Sequence, residues 1–127
     1  MTDTFTKTYK VGKNRGHNRV WIEGTMLLSF GFTRGLSFSR TMQVGVLDNP
    51  TGNKYSKMIL IQDGFLGFKA GVRYSPEGKH TVAGTEARPI IDLNGKYLDE
   101  LLYGFTHYDA TFNAFGPAFI MIQGVNQ

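Results

Sequence analysis

The stretch that decides the fold is PIIDLNGKYLDELLYGFT at residues 89–106, because it repeats the pattern of RVWIEGTMLLSFGFT at residues 19–33. Each copy begins with a short apolar run that ends just before Gly24 or Gly95. A short amphipathic segment follows, and a Gly-Phe-Thr sequence comes directly after it. Each copy therefore predicts a strand followed by a short helix, which a glycine closes at its carboxyl end.

The repeat continues beyond the predicted helices. MILIQ at residues 58–62 is matched by FIMIQ at residues 119–123. An ordered set of matches of this size predicts a pseudo-symmetric domain whose halves complete one core. We place the two half-units at residues 19–62 and 89–123.

The composition favours strands and tight turns over a helical bundle. The chain has 127 residues with 16 glycines and 4 prolines, and 41% of its residues are hydrophobic. We therefore predict one mainly β domain over residues 1–127, a small β-barrel with short helices. In this prediction a basic amino-terminal arm (1–18) precedes the first half-unit, and a connector (63–88) joins the two.

Local patterns divide the chain into elements. Strands are predicted at 6–11, 19–23, 41–48, 54–62 and 89–93, and helices at 25–30 and 96–103. The remaining predictions are a turn or loop at 12–18, a turn at 49–53, a bent strand or loop at 64–74 and a polar connector at 75–87.

Several function classes lack their chemistry in this sequence. The absence of cysteine excludes a disulfide scaffold, a thiolate metal site and a cysteine nucleophile. His17, His80 and His107 lie far apart in no ligand spacing, and there is no phosphate-binding loop, so we expect no metal and no cofactor. No targeting segment or long apolar run is present, so we expect a cytoplasmic protein without a membrane partner.

Two histidines leave a catalytic alternative open. His107 lies beside Tyr108 and Asp109, a trio that could serve as a general-base site or simply as a histidine at a turn. His17, within the basic segment, is equally ambiguous. Asp99 and Glu100 are adjacent on a predicted helix, where neighbours do not face one another, so we interpret them as a solvated face.

Positive charge is concentrated in the first half of the chain. Residues 1–60 carry nine basic and three acidic side chains, whereas residues 61–127 carry five basic and seven acidic ones. Such a segment can follow a phosphate backbone, although it can also be a solvated arm that aids solubility. The predicted phosphate contacts, on DNA or RNA, are Lys7, Lys10, Lys13, Arg15, Arg19, Arg34, Arg40, Lys54 and Lys57. Phe65 and Phe68 could stack on bases, or pack in the core or in a dimer contact.

The two half-units resemble the small SymE toxins, relatives of the AbrB and MazE swapped-hairpin proteins. Residues 19–38 carry the resemblance through Gly24, Leu27, Gly31, Phe32, Gly35 and Phe38. Residues 89–112 carry it through Gly95, Leu98, Gly104 and Phe105, with Tyr108 where the second glycine is expected. The resemblance implies a pseudo-two-fold swapped-hairpin fold, and either DNA binding or toxicity directed at RNA or the nucleoid.

A second, shorter resemblance concerns the amino terminus. TKTYKVGKN at residues 6–14 is similar to the opening of a phage-borne inhibitor of type II-C CRISPR effectors. It implies a phage or mobile-element origin. Our first hypothesis is a non-enzymatic nucleic-acid-binding protein. The alternatives are a protein-binding inhibitor of a host defence nucleoprotein complex and a SymE-like toxin that targets RNA; a homodimer is possible in each case.

Overall fold

The computed structural model describes residues 4–44, 55–62, 75–113 and 119–126, which form ten strands and two short helices. The strands are β1 (Thr4–Lys10), β2 (Gly12–Asn14), β3 (His17–Glu23), β4 (Ser37–Val44), β5 (Tyr55–Gln62), β6 (Ser75–Thr81), β7 (Ala83–Gly84), β8 (Pro89–Asn94), β9 (His107–Asn113) and β10 (Phe119–Val125). The helices are α1 (Thr25–Ser29) and α2 (Lys96–Leu102). The prediction of a mainly β fold is confirmed.

The described strands form two antiparallel sheets. The large sheet has the order β1-β9-β10-β5-β4-β6, and the small sheet has the order β2-β3-β8-β7. Among the described strands, neither sheet closes on itself, so the predicted closed barrel is wrong. The physical reason lies at Val11 and Val82, where the chain leaves an edge of one sheet and enters an edge of the other. The result is two open layers instead of one continuous ring.

The core lies on the inner faces of the sheets and on the helices. Alternation along β3 buries Val20 and Ile22, while Trp21 between them is exposed. Helix α2 contacts β3 in the small sheet and both β5 and β10 in the large one. The Tyr108 hydroxyl donates to the Trp21 carbonyl and accepts from the Trp21 amide, which joins the two sheets directly.

A pseudo-two-fold axis relates the halves, and it can be read from the strand pairing. In the small sheet Val20 pairs with Leu93 and Ile22 with Ile91. A shift of 71 positions, the separation of Gly24 and Gly95, converts each of these pairs into the other. The pairing of β5 with β10 is also reciprocal, at a shift of 61 positions: Phe119 pairs with Ile61, and Met58 pairs with Ile122. One axis therefore passes between the central strands of each sheet.

The repeat is longer than the sequence pattern indicated. Strands β6 and β7 match β1 and β2 at the same shift of 71 positions, so residues 75–84 repeat residues 4–13. The predicted polar connector at 75–87 is therefore wrong, since β6 pairs with β4 and β7 with β8. The predicted turn or loop at 12–18 is shorter than expected: β2 and the start of β3 form a hairpin there, and the turn is confined to Arg15 and Gly16.

Each half contributes its first strand to the sheet of the other half. Strand β1 pairs with β9 over seven residues, and β6 pairs with β4. The ring contacts repeat as well. Tyr9 stacks on Tyr108 with centroids 5.4 Å apart, and His80 contacts Phe38 at 5.5 Å in the equivalent place.

Other predicted elements stand close to their observed positions. The edge strand at 6–11, the strands at 19–23, 54–62 and 89–93, and both helices are confirmed, with ends shifted by up to two residues. The strand predicted at 41–48 begins earlier, at Ser37. Its last residues, the turn at 49–53 and the segment at 64–74 lie outside the described residues.

Glycines begin and end the helices in both halves. Gly24 and Gly95 precede the helices with φ values of 112° and 139°, and Gly31 and Gly104 follow them with φ values of 83° and 82°. These backbone conformations favour glycine, which explains why the glycine spacing predicted the helices well. Within the described residues, no helix is long and apolar enough to cross a membrane.

Candidate nucleic-acid interface

Four predicted phosphate contacts lie along one continuous edge of the molecule. Lys7 and Lys10 belong to β1, the edge strand of the large sheet, and Lys13 belongs to β2, the edge strand of the small sheet. Arg15 follows at the turn after β2. All four are exposed. We call Lys7, Lys10, Lys13 and Arg15 the basic edge. At about 3.3 Å per residue, Lys7 and Lys10 are about 10 Å apart along β1.

The second half provides an internal comparison for the basic edge. The positions equivalent to its four cations, 71 residues further on, are Gly78, Thr81, Gly84 and Glu86. Three of these are uncharged and the last is anionic. The same arrangement of strands therefore forms in this chain without cations at those positions.

Arg40 lies beneath the second edge, at Gly78. A Cβ at Gly78 would come within 2.9 Å of the Arg40 Nη2 atom, so the glycine leaves room for that guanidinium. Arg40 lies over the Tyr97 ring, 3.5 Å from its centroid, and Arg40 Nη1 contacts His80 Nε2 at 3.1 Å. Arg40 is half-buried and is not part of the basic edge.

The tip of the β2–β3 hairpin is a two-residue turn at Arg15 and Gly16. Both residues have positive φ, 52° and 83°, as a type I′ turn requires. Among the described residues, Arg15 is the one non-glycine with positive φ. Asparagine and glycine adopt this conformation more easily than arginine does, so the turn places a long cation at a strained position.

Helix α2 braces this hairpin through Asp99. One carboxylate oxygen accepts from the Asn18 amide at 2.7 Å, and the other contacts His17 Nδ1 at 2.7 Å. The Asn18 side chain in turn accepts from the Lys13 ammonium. The helical position of Asp99 predicts a solvated face, whereas the structure places its carboxylate against the hairpin. The contact joins residues about 80 positions apart, and no local pattern reports it.

The electrostatics of Asp99 agree with this bracing. Partial burial is the largest single influence and raises the pKa of the carboxyl. The hydrogen bonds from Asn18 and His17, together with the charges of His17 and Lys13, outweigh it and hold the pKa of Asp99 below its ordinary value. Asp99 is therefore ionised near neutral pH.

Arg19 lies on the outer face of the small sheet, next to the pseudo-two-fold axis. Its Nε and Nη2 atoms donate to the two carboxylate oxygens of Asp92 at 2.8 and 3.0 Å, and its guanidinium stacks on Trp21, 4.4 Å from the ring. The hydrogen bond to Asp92 raises the pKa of Arg19. Because the carboxylate offsets its charge, Arg19 contributes less to an anion-binding field than the basic edge does.

The remaining predicted cations lie elsewhere. Arg34 borders an open groove with a volume of about 410 Å³ on the second edge, together with Thr81 and Glu86. Lys57 is in β5, opposite Gln43 and away from the edge strands. Lys54 lies outside the described residues, as do Phe65 and Phe68. The structure thus brings together four of the nine predicted cations and leaves Arg19 beside them.

The trio of His107, Tyr108 and Asp109 does not converge on one site. His107 and Asp109 alternate with Tyr108 along β9, so their side chains lie on the opposite face of the sheet. Tyr108 is buried, and burial raises the pKa of its hydroxyl. His107 Nδ1 contacts the Thr106 hydroxyl at 2.7 Å, and Asp109 accepts from Thr8.

No group of three or more metal-ligating side chains occurs within the described residues. Known proteins do not assign the site either. No protein family, curated protein or solved structure matches this chain.

Proposed function

We propose that this protein binds nucleic acid without catalysing a reaction, and that the basic edge is its phosphate-contacting surface. The observation that carries the proposal is the contrast between the two equivalent edges. The same fold carries Lys7, Lys10, Lys13 and Arg15 on one side and no cation at the matching positions on the other. Stability of the fold does not account for this difference, whereas an anionic partner on one side does.

Protection of a sheet edge is the competing explanation for the lysines. Lysine on an edge strand deters pairing with another chain. That role suits Lys7 and Lys10 in β1, but it does not account for Arg15, which is in a hairpin turn. The cations also continue from the large sheet into the small one, a path that suits a polyanion lying along both.

The salt dependence of binding tests this proposal. Four phosphate contacts predict a slope of log K against log salt of about −3.6 for duplex DNA and about −2.8 for a single strand. Replacing Lys7, Lys10 and Lys13 with alanine should reduce the slope for a duplex by about 2.7 and weaken binding at low salt.

A matched control keeps the total charge equal. Lys79, Arg88 and Lys96 are exposed cations of the second half. Their triple alanine variant loses the same three charges, and we expect it to bind nearly as the wild type does. Equal loss in the two triple variants would indicate a net-charge effect and contradict the proposed surface. No binding of DNA or RNA at low salt would refute the function itself.

For the finer fold, we propose a swapped-hairpin arrangement related to SymE and AbrB, encoded twice in one chain of phage or mobile-element origin. Two features support it: the strand–glycine–helix–glycine units occur twice, and each half pairs its first strand with the other half. An experimental structure placed beside those of swapped-hairpin proteins tests it, and a different strand connectivity would count against the relationship.

A protein-binding inhibitor of a host defence complex is the second candidate. The observation that favours it is Trp21, which is 38% exposed and held by the stacked, ion-paired Arg19. Tryptophan and arginine are enriched among the residues that dominate protein interfaces. A pull-down from host lysate with and without nuclease separates the two functions. One protein partner that persists after nuclease treatment and is lost in Trp21→Ala supports the inhibitor.

The RNA-targeting toxin remains a third proposal, with His17 or His107 as its base. His17 contacts Asp99, an arrangement that could orient its ring. Harmless expression together with intact cellular RNA would eliminate this possibility.

A further inference from the structure

The β2–β3 hairpin extends past the strand beside it. Strand β8 ends at Asn94, which pairs with Arg19. The pairs Lys13–Asn18 and Asn14–His17 lie beyond that end, and the Arg15–Gly16 turn closes the ribbon. At this tip the small sheet is reduced to two strands. Asp99 braces the ribbon from α2, so it extends as a supported element.

We propose that this tip enters the major groove of B-form DNA and that Arg15 contacts guanine there. The inference rests on the proposed nucleic-acid binding and names the form of nucleic acid and the specificity-determining residue. Two paired strands lie about 4.8 Å apart, and with their side chains they fit a groove about 12 Å wide. The minor groove, about 6 Å wide, is too narrow for them, and the major groove of A-form RNA does not admit side chains.

Arg15 is suited to this contact by its position and its chemistry. Its side chain is exposed at the outermost turn, and it forms no hydrogen bond or ion pair with the other described residues. A guanidinium donates two parallel hydrogen bonds to guanine O6 and N7. The positive φ of 52° costs energy that asparagine or glycine would reduce. Backbone conformation therefore does not explain the arginine at this position, whereas a role for its side chain does.

The pseudo-symmetry limits this recognition to one end of the small sheet. The equivalent tip of the second half carries Glu86 in place of Arg15, and its hairpin is closed by a hydrogen-bonded turn from Thr85 to Arg88. A carboxylate there is repelled by phosphate. The pseudo-two-fold axis relates two hairpin tips, an arrangement that would suit a palindromic DNA site. Because one tip carries Arg15 and the other carries Glu86, the protein engages a single half-site.

Base analogues test the groove and the residue together. The probe is a G·C-rich duplex of about 20 base pairs, measured by fluorescence anisotropy at low salt. In one version 7-deazaguanine replaces guanine and removes the N7 acceptor from the major groove. In another, inosine replaces guanine and removes the amino group from the minor groove. We expect the wild type to lose about tenfold in affinity with 7-deazaguanine and to change little with inosine.

The variants assign the effect to Arg15. Arg15→Asn, which suits the turn, should bind all three duplexes equally, whereas Arg88→Asn at the opposite tip should retain the wild-type preference. A wild type insensitive to 7-deazaguanine, or an Arg15→Asn variant that keeps the loss, would overturn the inference while leaving phosphate binding intact. Loss with inosine alone would place the tip in the minor groove. Absence of binding to all three duplexes would overturn the inference. Binding to single-stranded DNA or RNA of the same length at low salt would then show that the proposed function still holds, and its absence would refute that function as well.

Discussion

Replacing Asp99 with alanine should loosen the β2–β3 hairpin while leaving the rest of the fold in place. The substitution removes an acceptor from the Asn18 amide and from His17 Nδ1, each 2.7 Å away. A charge-assisted hydrogen bond is worth about 1.5–3 kcal/mol when well shielded. The Asp99 side chain is 33% exposed and that of His17 is 47% exposed, so solvent screening reduces this figure. We expect a total loss of about 1–2 kcal/mol.

Urea unfolding and amide hydrogen exchange measure this effect. A loss of 1–2 kcal/mol lowers the urea midpoint by about 0.5–1 M. Exchange at the Asn18 amide should accelerate, while exchange in β9 and β10 should follow the global stability alone. Asp99→Asn retains an acceptor for the Asn18 amide and loses the charge, so its stability should lie between those of Asp99→Ala and the wild type. Lys96→Ala, an exposed change in the same helix, is the control.

The sign of the pH dependence gives a further check. Because the pKa of Asp99 is lowered in the folded protein, its contribution is present above the ordinary value of 3.8 and is lost as the pH falls through the folded value. The free energy of unfolding of Asp99→Ala should therefore fall less on acidification than that of the wild type. The bracing role fails if Asp99→Ala and Lys96→Ala unfold at the same urea concentration, or if the Asn18 amide exchanges as in the wild type.

Three other substitutions test separate parts of the structure. Arg15→Asn should raise the free energy of unfolding by about 0.5–1 kcal/mol, because asparagine tolerates the positive φ; an unchanged or lower urea midpoint would contradict the strained turn. Burial and the charge of Arg40 lower the pKa of His80 below 6.5. The free energy of unfolding should therefore fall as the pH drops through 6.5 towards the pKa of His80 in the folded protein. His80→Phe should abolish that fall, which urea titrations at pH 8 and pH 5.5 measure. Gly124→Ala should destabilise the protein by about 1–3 kcal/mol, because the new Cβ would lie 2.3 Å from the Phe105 ring; a thermal midpoint equal to that of the wild type would show that the ring moves aside freely.

The elements that the sequence predicted are those with a local signal. The glycines at 24, 31, 95 and 104 have positive φ, so their spacing fixed both helices and the strands before them. Strand β6 has no such signal. Its sequence, SPEGKHT, lacks apolar alternation, and its pairing with β4 is a tertiary contact between distant residues.

The candidate site was predictable as a set of cations but not as a surface. Residue type identified Lys7, Lys10, Lys13 and Arg15, but nothing local distinguished them from Arg40. Arg40 lies over the ring of Tyr97, a residue 57 positions away. Asp99 could not be assigned either, since its partners come from the amino-terminal hairpin.

The pairing of β1 with β9 has a consequence for how the chain folds during synthesis. Lys7 pairs with Ala110, so β1 has no partner in the large sheet until more than a hundred residues have left the ribosome. Strands β4, β5 and β6 can pair with one another once residue 81 has emerged, but they join β1 and β9 only when β10 pairs with β5. The pairing of β1 with β9 and of β5 with β10 therefore forms late, through contacts of long sequence separation, a topology that folds slowly. Until then β1 remains an unpaired strand carrying lysines, and those charges deter its association with neighbouring nascent chains.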